Sequence, residues 1–192
     1  MGYLRRIRGH DMTVIISMLR GVNVGGNNMI KMRVLKASFE RLGFAQVSTY
    51  INSGNIIFKS KETEARKLER KIEQMLVKEY GLESKVVVRS LAEMETLVKN
   101  LPRTWTGDGN WRYNVIFLRH TIDSEEILAE LQFKGDIEQL VYRPGVLFWS
   151  AQVTELSRTQ LQKLSSRKIF QDMTVRNLNT TKKLYELMKQ AV

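Results

Sequence analysis

No cysteine occurs in the chain, which excludes disulfides, thiolate metal ligands and cysteine nucleophiles at one stroke. The same absence suits a reducing compartment, and the cytoplasm is the expected location. Histidine is almost as scarce, with only His10 and His120. Acid–base catalysis at neutral pH draws on histidine most often. No Ser-His-Asp set can form around the glycine- and asparagine-rich loops of residues 19–28 and 52–55, and no metal site has a plausible ligand count, so neither metal nor cofactor is expected. The two prolines, Pro102 and Pro144, fall where a helix closes and where a turn is needed. No apolar run approaches the ~20 residues that cross a bilayer, and no membrane partner is expected. Carboxylates are nearly missing from residues 12–60, where Glu40 alone faces Arg20, Lys31, Arg33, Lys36, Arg41 and Lys59.

That last shortage shapes the charge map. The formal charge is +11 over 192 residues, and it is uneven. Residues 12–60 carry +5 and residues 158–192 carry +6, whereas residues 101–157 carry −3. An acidic partner, either nucleic acid or a phosphorylated small molecule, is therefore expected at the two ends of the chain. Nucleic-acid phosphates would meet Arg33, Lys36, Arg41, Arg167, Lys168, Lys182 and Lys183. Residues 1–11 carry three arginines, lack periodicity and lack the apolar core of a signal peptide. They are expected to be a disordered leader or an upstream remnant, dispensable for stability.

Three glycines and three asparagines crowd into Leu19–Asn28, between an apolar run (Val14, Ile15, Ile16, Met18) and a helix-patterned one (Ile30, Val34, Leu35, Phe39, Leu42). A strand-to-helix loop follows, rich in residues that tolerate positive φ and leave backbone N–H groups free for an anion. Gly21-x₄-Gly26 has Walker spacing, but Asn27-Asn28 stands where Lys-Ser/Thr would contact phosphate and Mg²⁺. Nucleotide hydrolysis is not expected. Anion capture by Gly25 and Gly26 with charge from Arg20 stays open beside the reading that the glycines form a tight crossover and the asparagines satisfy turn backbone.

The remaining pattern places helices near 29–42 (N-cap Asn28) and 62–79, and strands at 12–19, 46–51, 55–59 and 84–89. Asn52-Ser53-Gly54 joins the two middle strands as a hairpin. Ser90 and Glu93 form a capping box for a linking helix that Pro102 closes. A glycine-bearing linker, 103–110, precedes strands at 111–119, 137–142 and 146–150, with Pro144-Gly145 in a type II turn. Helices are expected from 123/126 to 133, over 154–170 and over 180–190, with a short strand at 173–176. His120 and Asp123 read as a local capping pair. The order β-α-β-β-α-β occurs twice. The expected fold is α+β, two tandem ferredoxin-like subdomains over 12–101 and 111–192, with a linking helix and a C-terminal helix.

Three segments taken together, LRGVNVGGNNMIKM (19–32), LGFAQVSTYINSGNIIF (42–58) and TVRNLNTTKKLYEL (174–187), resemble the bacterial domain-of-unknown-function family numbered 1697. The resemblance covers about residues 12–190 and implies two tandem ferredoxin-like subdomains, with no settled activity. Asn52 stands where glutamine is usual, and Leu178 replaces the tryptophan of the last motif. Ser157-Arg158-Thr159-Gln160-Leu161 departs from a Ser-Lys-Leu-Thr-like segment.

The candidate ligand-binding set is Arg20, Asn23, Gly25, Gly26, Asn27, Asn52, Ser53 and Asn55, joined by Asn177 and Asn179 of the third motif. The end of the first strand should face the start of the third, bringing Asn23 and Asn55 within contact or one-water range. Binding of an anionic ligand is the expected function. A metal-free small-molecule enzyme working through Arg20, Asn23 and Asn55 is the alternative, as is a scaffold that binds partners through exposed sheet faces. Tyr113, Phe117, Phe148 and Trp149 are expected in the core rather than stacked on bases.

Overall fold

A computed structural model of the chain describes residues 12–23, 29–105, 107, 109–131, 133, 135–164 and 166–192. The 1–11 leader and Gly25, Gly26, Asn27 and Asn28 lie outside the described residues.

Eight strands form two four-stranded antiparallel sheets. The first contains β1 (Thr13–Leu19), β2 (Ala45–Tyr50), β3 (Asn55–Ser60) and β4 (Val86–Ser90) in the order β2-β3-β1-β4. The second contains β5 (Trp111–Leu118), β6 (Glu138–Arg143), β7 (Val146–Gln152) and β8 (Met173–Asn177) in the order β6-β7-β5-β8. Each sheet thus has the first and third strands of its half at the centre, flanked by the second and fourth.

β1 reads as a nearly continuous apolar run, and β5 alternates over Trp111–Asn114 before running continuously apolar over Val115–Leu118, because both faces of these stretches are covered. Ile15 and Leu19 point to a core shared with α1 (Met32–Arg41) and α2 (Ala65–Tyr80), among Leu35, Phe39, Leu68, Ile72 and Leu76. Val14, Ile16 and Met18 point the other way, into a central core between the halves. There they meet Val115, Phe117, Val146 and Phe148 of the second sheet, with Met94 and Leu97 of α3 (Leu91–Lys99) and Leu184 and Met188 of α6 (Leu178–Gln190). A third core lies on the outer face of the second sheet, where Ile116, Leu118 and Trp149 pack with Ile127 and Leu131 of α4 (Ile127–Leu131) and Leu164 of α5 (Gln160–Leu164).

The central core overturns the scaffold expectation. The sheet faces that would have been open are packed against each other's half, and burial of apolar area there is what joins them. Tyr113, Phe117, Phe148 and Trp149 are all buried, which removes them from base stacking. Trp149 Nε1 donates to Glu138 Oε2 at 2.8 Å, and Tyr113 stacks on Trp105.

Local boundaries differ from the sequence expectation in two instructive places. α1 begins at Met32 with Lys31 as an N-cap that makes no side-chain cap bond. The Asn23 amide holds Ile30 from both sides instead: Ile30 N–H donates to Asn23 Oδ1 at 2.7 Å, and Asn23 Nδ2 donates to Ile30 O at 3.0 Å. Ile30 is thereby kept out of the helix. The helix expected over 154–170 is broken into a 3₁₀ turn (Val153–Arg158), α5, and a second 3₁₀ turn (Lys168–Asp172). Thr159 is extended, with its hydroxyl donating to Leu156 O at 2.8 Å, and Gln160 N–H is taken by Glu138 Oε1 at 2.8 Å. Ser166 Oγ likewise donates to Lys163 O at 2.8 Å. Short hydroxyl side chains offer the backbone local partners that compete with the helix ladder.

Candidate functional site

The sequence motifs converge on one arginine. β1 and β3 are paired so that Met18 lies opposite Asn55, and Leu19 N–H donates to Gly54 O at 2.8 Å. Into that junction reaches Arg176 from β8. Its Nε donates to Asn55 Oδ1 at 2.6 Å, and its Nη2 donates to Leu19 O at 3.1 Å and Ser53 O at 2.9 Å. Nη1 takes Val175 O at 2.9 Å. Asn55 is fully buried, its Nδ2 donating to Tyr50 O and Ser53 Oγ. Burial pulls the Arg176 guanidinium down to about 10, which still leaves it a cation at neutral pH. The next residue, Asn177, accepts from Thr180 N–H at 2.7 Å and so starts α6.

The second half repeats this device in the opposite direction. Arg89 of β4 donates through Nη2 to Leu118 O at 2.6 Å and Gly145 O at 2.8 Å. Leu118 N–H donates to Gly145 O at 2.9 Å, matching Leu19 and Gly54. Arg89 lies opposite Ile16 in its ladder as Arg176 lies opposite Val115. Ser90, like Asn177, caps the helix that follows. The two halves therefore clamp each other by exchanged arginines around an approximate two-fold relation. Desolvation holds Arg89 below the ordinary guanidinium range.

Arg20 and Arg119 are the next matched pair, one residue past Leu19 and Leu118, with their N–H groups on Lys85 O and Asp172 O. Their surroundings diverge. Arg119 Nη2 lies 3.1 Å from Glu73 Oε1 and 3.5 Å from Glu69 Oε2, and its Nη1 lies 3.4 Å from Asp172 Oδ1. Arg20 instead stacks over the Phe170 ring at 5.1 Å from its centroid. It lines a cleft of about 610 Å³ with Arg70, Lys78, Lys85, Glu73, Glu83 and others. Among the described residues none of these four cations lies within ion-pair distance of a carboxylate. Glu73 is already held by Arg119 and by Val86 N–H at 3.0 Å, which leaves Glu83 as the one uncommitted acid in the lining.

A second cleft, about 500 Å³, opens between the halves and is lined by Glu69, Arg89, His120 and Asp123 among others. Glu69 is buried; its Oε1 accepts from Val88 N–H at 3.3 Å, and its Oε2 has no hydrogen-bond partner among the described residues. Desolvation raises its pKa, opposed by Arg119, the Val88 N–H, His120 and Arg89. His120 corrects the expected capping pair: its Nδ1 faces Glu69 Oε2 at 3.5 Å across the halves. Asp123 Oδ1 accepts from Gly145 N–H at 2.7 Å and Tyr142 Oη at 3.0 Å, tying down the β6–β7 turn.

A family model described as "Protein of unknown function (DUF1697)" matches residues 12–148, well over half of the chain. The chain belongs to this family. A solved structure titled as that of the conserved bacterial protein SP0830 from Streptococcus pneumoniae is similar to this DUF1697 chain at 29% identity and a TM-score of 0.81, covering 92% of this chain and 99% of that one. No curated protein matches.

Of the candidate ligand residues of this DUF1697 chain, Ser53 and Asn55 are gathered at Arg176. Asn23 sits at the same end of β1 with its amide committed to Ile30. Asn52 and Asn179 are exposed, and Gly25, Gly26 and Asn27 fall outside the described residues. The basic residues proposed for phosphate contact are dispersed. Lys36 pairs with Glu40 at 3.8 Å and Arg41 with Glu79 at 2.6 Å, and Arg167 Nη1 donates to Glu130 O at 3.2 Å. Arg33, Lys168, Lys182 and Lys183 are left without such partners among the described residues; Lys168, Lys182 and Lys183 are exposed, Arg33 as well. Sequence reasoning missed Arg176 and Arg89, although Val88-Arg89-Ser90-Leu91 and Val175-Arg176-Asn177-Leu178 are nearly the same string. It also missed Arg70, Lys78 and Lys85, which come together only through the packing of α2 against β4.

Proposed function

We propose that the protein binds a phosphorylated small molecule in the cleft lined by Arg20, Arg70, Lys78 and Lys85. The observation that carries this reading is the charge imbalance of that cleft: four cations without a carboxylate at ion-pair distance among the described residues, against one uncommitted acid. Unpaired cations converging on a concave surface attract a multivalent anion, and partial exclusion of water strengthens each contact. The cleft opens at the end of β1, where Arg20 and Ser84 line it.

A small ligand is favoured over a nucleic-acid strand by two features. The aromatics that would stack bases are buried, and two of the basic side chains considered for phosphates, Lys36 and Arg41, are paired. The reading is of a binder, because the side chains gathered in the cleft are chiefly cations suited to holding an anion. Within the same proposal each half is a ferredoxin-like unit, over 12–101 and 111–192, because strand orders β2-β3-β1-β4 and β6-β7-β5-β8 share that arrangement. The cytoplasm is proposed as the compartment on the absence of cysteine.

Calorimetric titration with pyrophosphate tests the reading. Wild-type protein should bind saturably and more weakly as salt rises. The exposed double variant Arg70→Glu, Lys78→Glu should lose at least about tenfold in affinity, ~1.4 kcal/mol. Binding that survives the double reversal, or a single-stranded oligonucleotide that binds where pyrophosphate does not, would contradict it.

A further inference from the structure

We propose that the cleft between the two halves is a second, independent ligand site, and that it takes a small organic amine on a compact apolar body. Its volume, about 500 Å³, suits a molecule of drug-like size or less. The walls are mainly apolar, from Ala65, Ala92, Leu97, Pro144 and Val146.

The polar groups are nearly all spoken for. Arg89 places Nη1 on Val88 O and Nη2 on Leu118 O and Gly145 O. Glu93 Oε2 accepts from the Ser90 N–H and hydroxyl. Asp123 Oδ1 accepts from Tyr142 and Gly145. Arg143 is exposed at the rim, with Nη1 on Tyr142 O. The acceptor of this lining that is both buried and without a donor among the described residues is Glu69 Oε2, on a side chain only 2% exposed.

Buried acceptors without donors are costly and uncommon. The two nearest donors, Arg119 Nη2 and His120 Nδ1, both stand at 3.5 Å, outside good hydrogen-bond geometry. His120 lines the cleft, keeps 34% of its side chain exposed and makes no hydrogen bond among the described residues, so it is the side chain free to turn aside. An ammonium entering past it brings three donors and a positive charge to Glu69. Across the lining three carboxylates, Glu69, Glu93 and Asp123, outnumber the guanidinium groups of Arg89 and Arg143, which favours a cation over an anion. The apolar body of such a ligand covers the alanine, leucine, proline and valine walls. Because the two clefts select opposite charges, this site does not depend on the phosphate reading.

Benzylamine, benzyl alcohol and benzoate are matched probes differing in charge at one position. In an amide and imidazole NMR titration, benzylamine should saturably shift Ala92, Thr96, Gly145 and the His120 ring. Benzyl alcohol should bind at least tenfold more weakly, and benzoate more weakly still. Glu69→Gln should erase the preference for the amine over the alcohol. Ala92→Trp, at an exposed helix position, should fill the cleft and abolish binding of both while the protein stays folded, so the proposal can still be judged if Glu69→Gln does not fold. Arg70→Glu, Lys78→Glu should leave benzylamine binding unchanged. Benzoate binding as tightly as benzylamine, unmoved cleft resonances, or undiminished binding by Ala92→Trp would overturn the proposal.

Discussion

Arg176 satisfies three acceptors that belong to the other half of the chain: Leu19 O, Ser53 O and Asn55 Oδ1. Removing it by Arg176→Ala leaves all three at a buried junction, and each unmet polar group costs about 1–3 kcal/mol. We expect a loss of roughly 3 kcal/mol or more in chemical denaturation. Arg176→Lys should recover little, because one ammonium cannot reproduce a planar fork spread over three directions. A loss under about 1 kcal/mol would show that the clamp is dispensable. Glu69 makes a prediction of opposite kind. Its carboxyl is raised by desolvation, so the folded state holds a proton that the unfolded state has already released. Between the ordinary glutamate range and the raised folded value, stability therefore falls as pH rises, and below that window the penalty is absent. The stability of wild type relative to Glu69→Gln should decline from acidic toward neutral pH. A relative stability that rose with pH would mean that Arg119 and His120 outweigh the burial.

At the scale of elements, the hairpin glycines carry the closest approaches. Gly54 has φ +68°, and a Cβ there would lie 2.8 Å from Leu19 Cβ. Gly43 has φ +86° with nothing within 4 Å of the same added atom. Both alanine variants incur the left-handed backbone cost of about 1–2 kcal/mol, and only Gly54→Ala adds a steric overlap with a buried side chain. Gly54→Ala should therefore be the more destabilising by at least about 1 kcal/mol, read as a lower melting temperature. Equal losses would place Leu19 farther away than described. These elements were also where the sequence was most legible. Strand alternation, the Ser90–Glu93 capping box and the Pro144-Gly145 turn are local signals, and each lies where it was expected. α1 and the 154–170 segment were misjudged because their boundaries are set by distant side chains. Asn23 decides where α1 starts, and Glu138 from β6 takes the N–H of Gln160.

The whole molecule is organised by its central core and its exchanged arginines. Val14, Ile16, Met18, Ile57 and Val87 of the first sheet are covered largely by the second half and by α3 and α6. Residues 12–101 expressed alone should expose that face, bind a hydrophobic dye and aggregate, and co-expression with 111–192 should restore a folded complex. The intact chain should unfold in one cooperative transition, and two well-separated transitions would contradict the shared core. That the two halves face each other was not legible beforehand, since a face buried by one's own other half has the same composition as a face awaiting a partner. The recurring strings Leu19-Arg20 with Leu118-Arg119, and Val88-Arg89-Ser90-Leu91 with Val175-Arg176-Asn177-Leu178, are short. Their meaning appears only when the strand registers align them. The candidate sites were less legible still. Arg20 belongs to a motif, but Arg70, Lys78 and Lys85 are ordinary helix-face and loop cations until α2 and β4 bring them around it.

The most direct test of the phosphate reading is a backbone and arginine side-chain NMR titration of the intact protein with pyrophosphate. The account predicts saturable shifts concentrated at Arg20, Arg70, Lys78, Ser84 and Lys85, with the Arg20 Nε resonance among the most perturbed. Shifts concentrated instead on Arg33, Lys168, Lys182 and Lys183, or none at all, would contradict it.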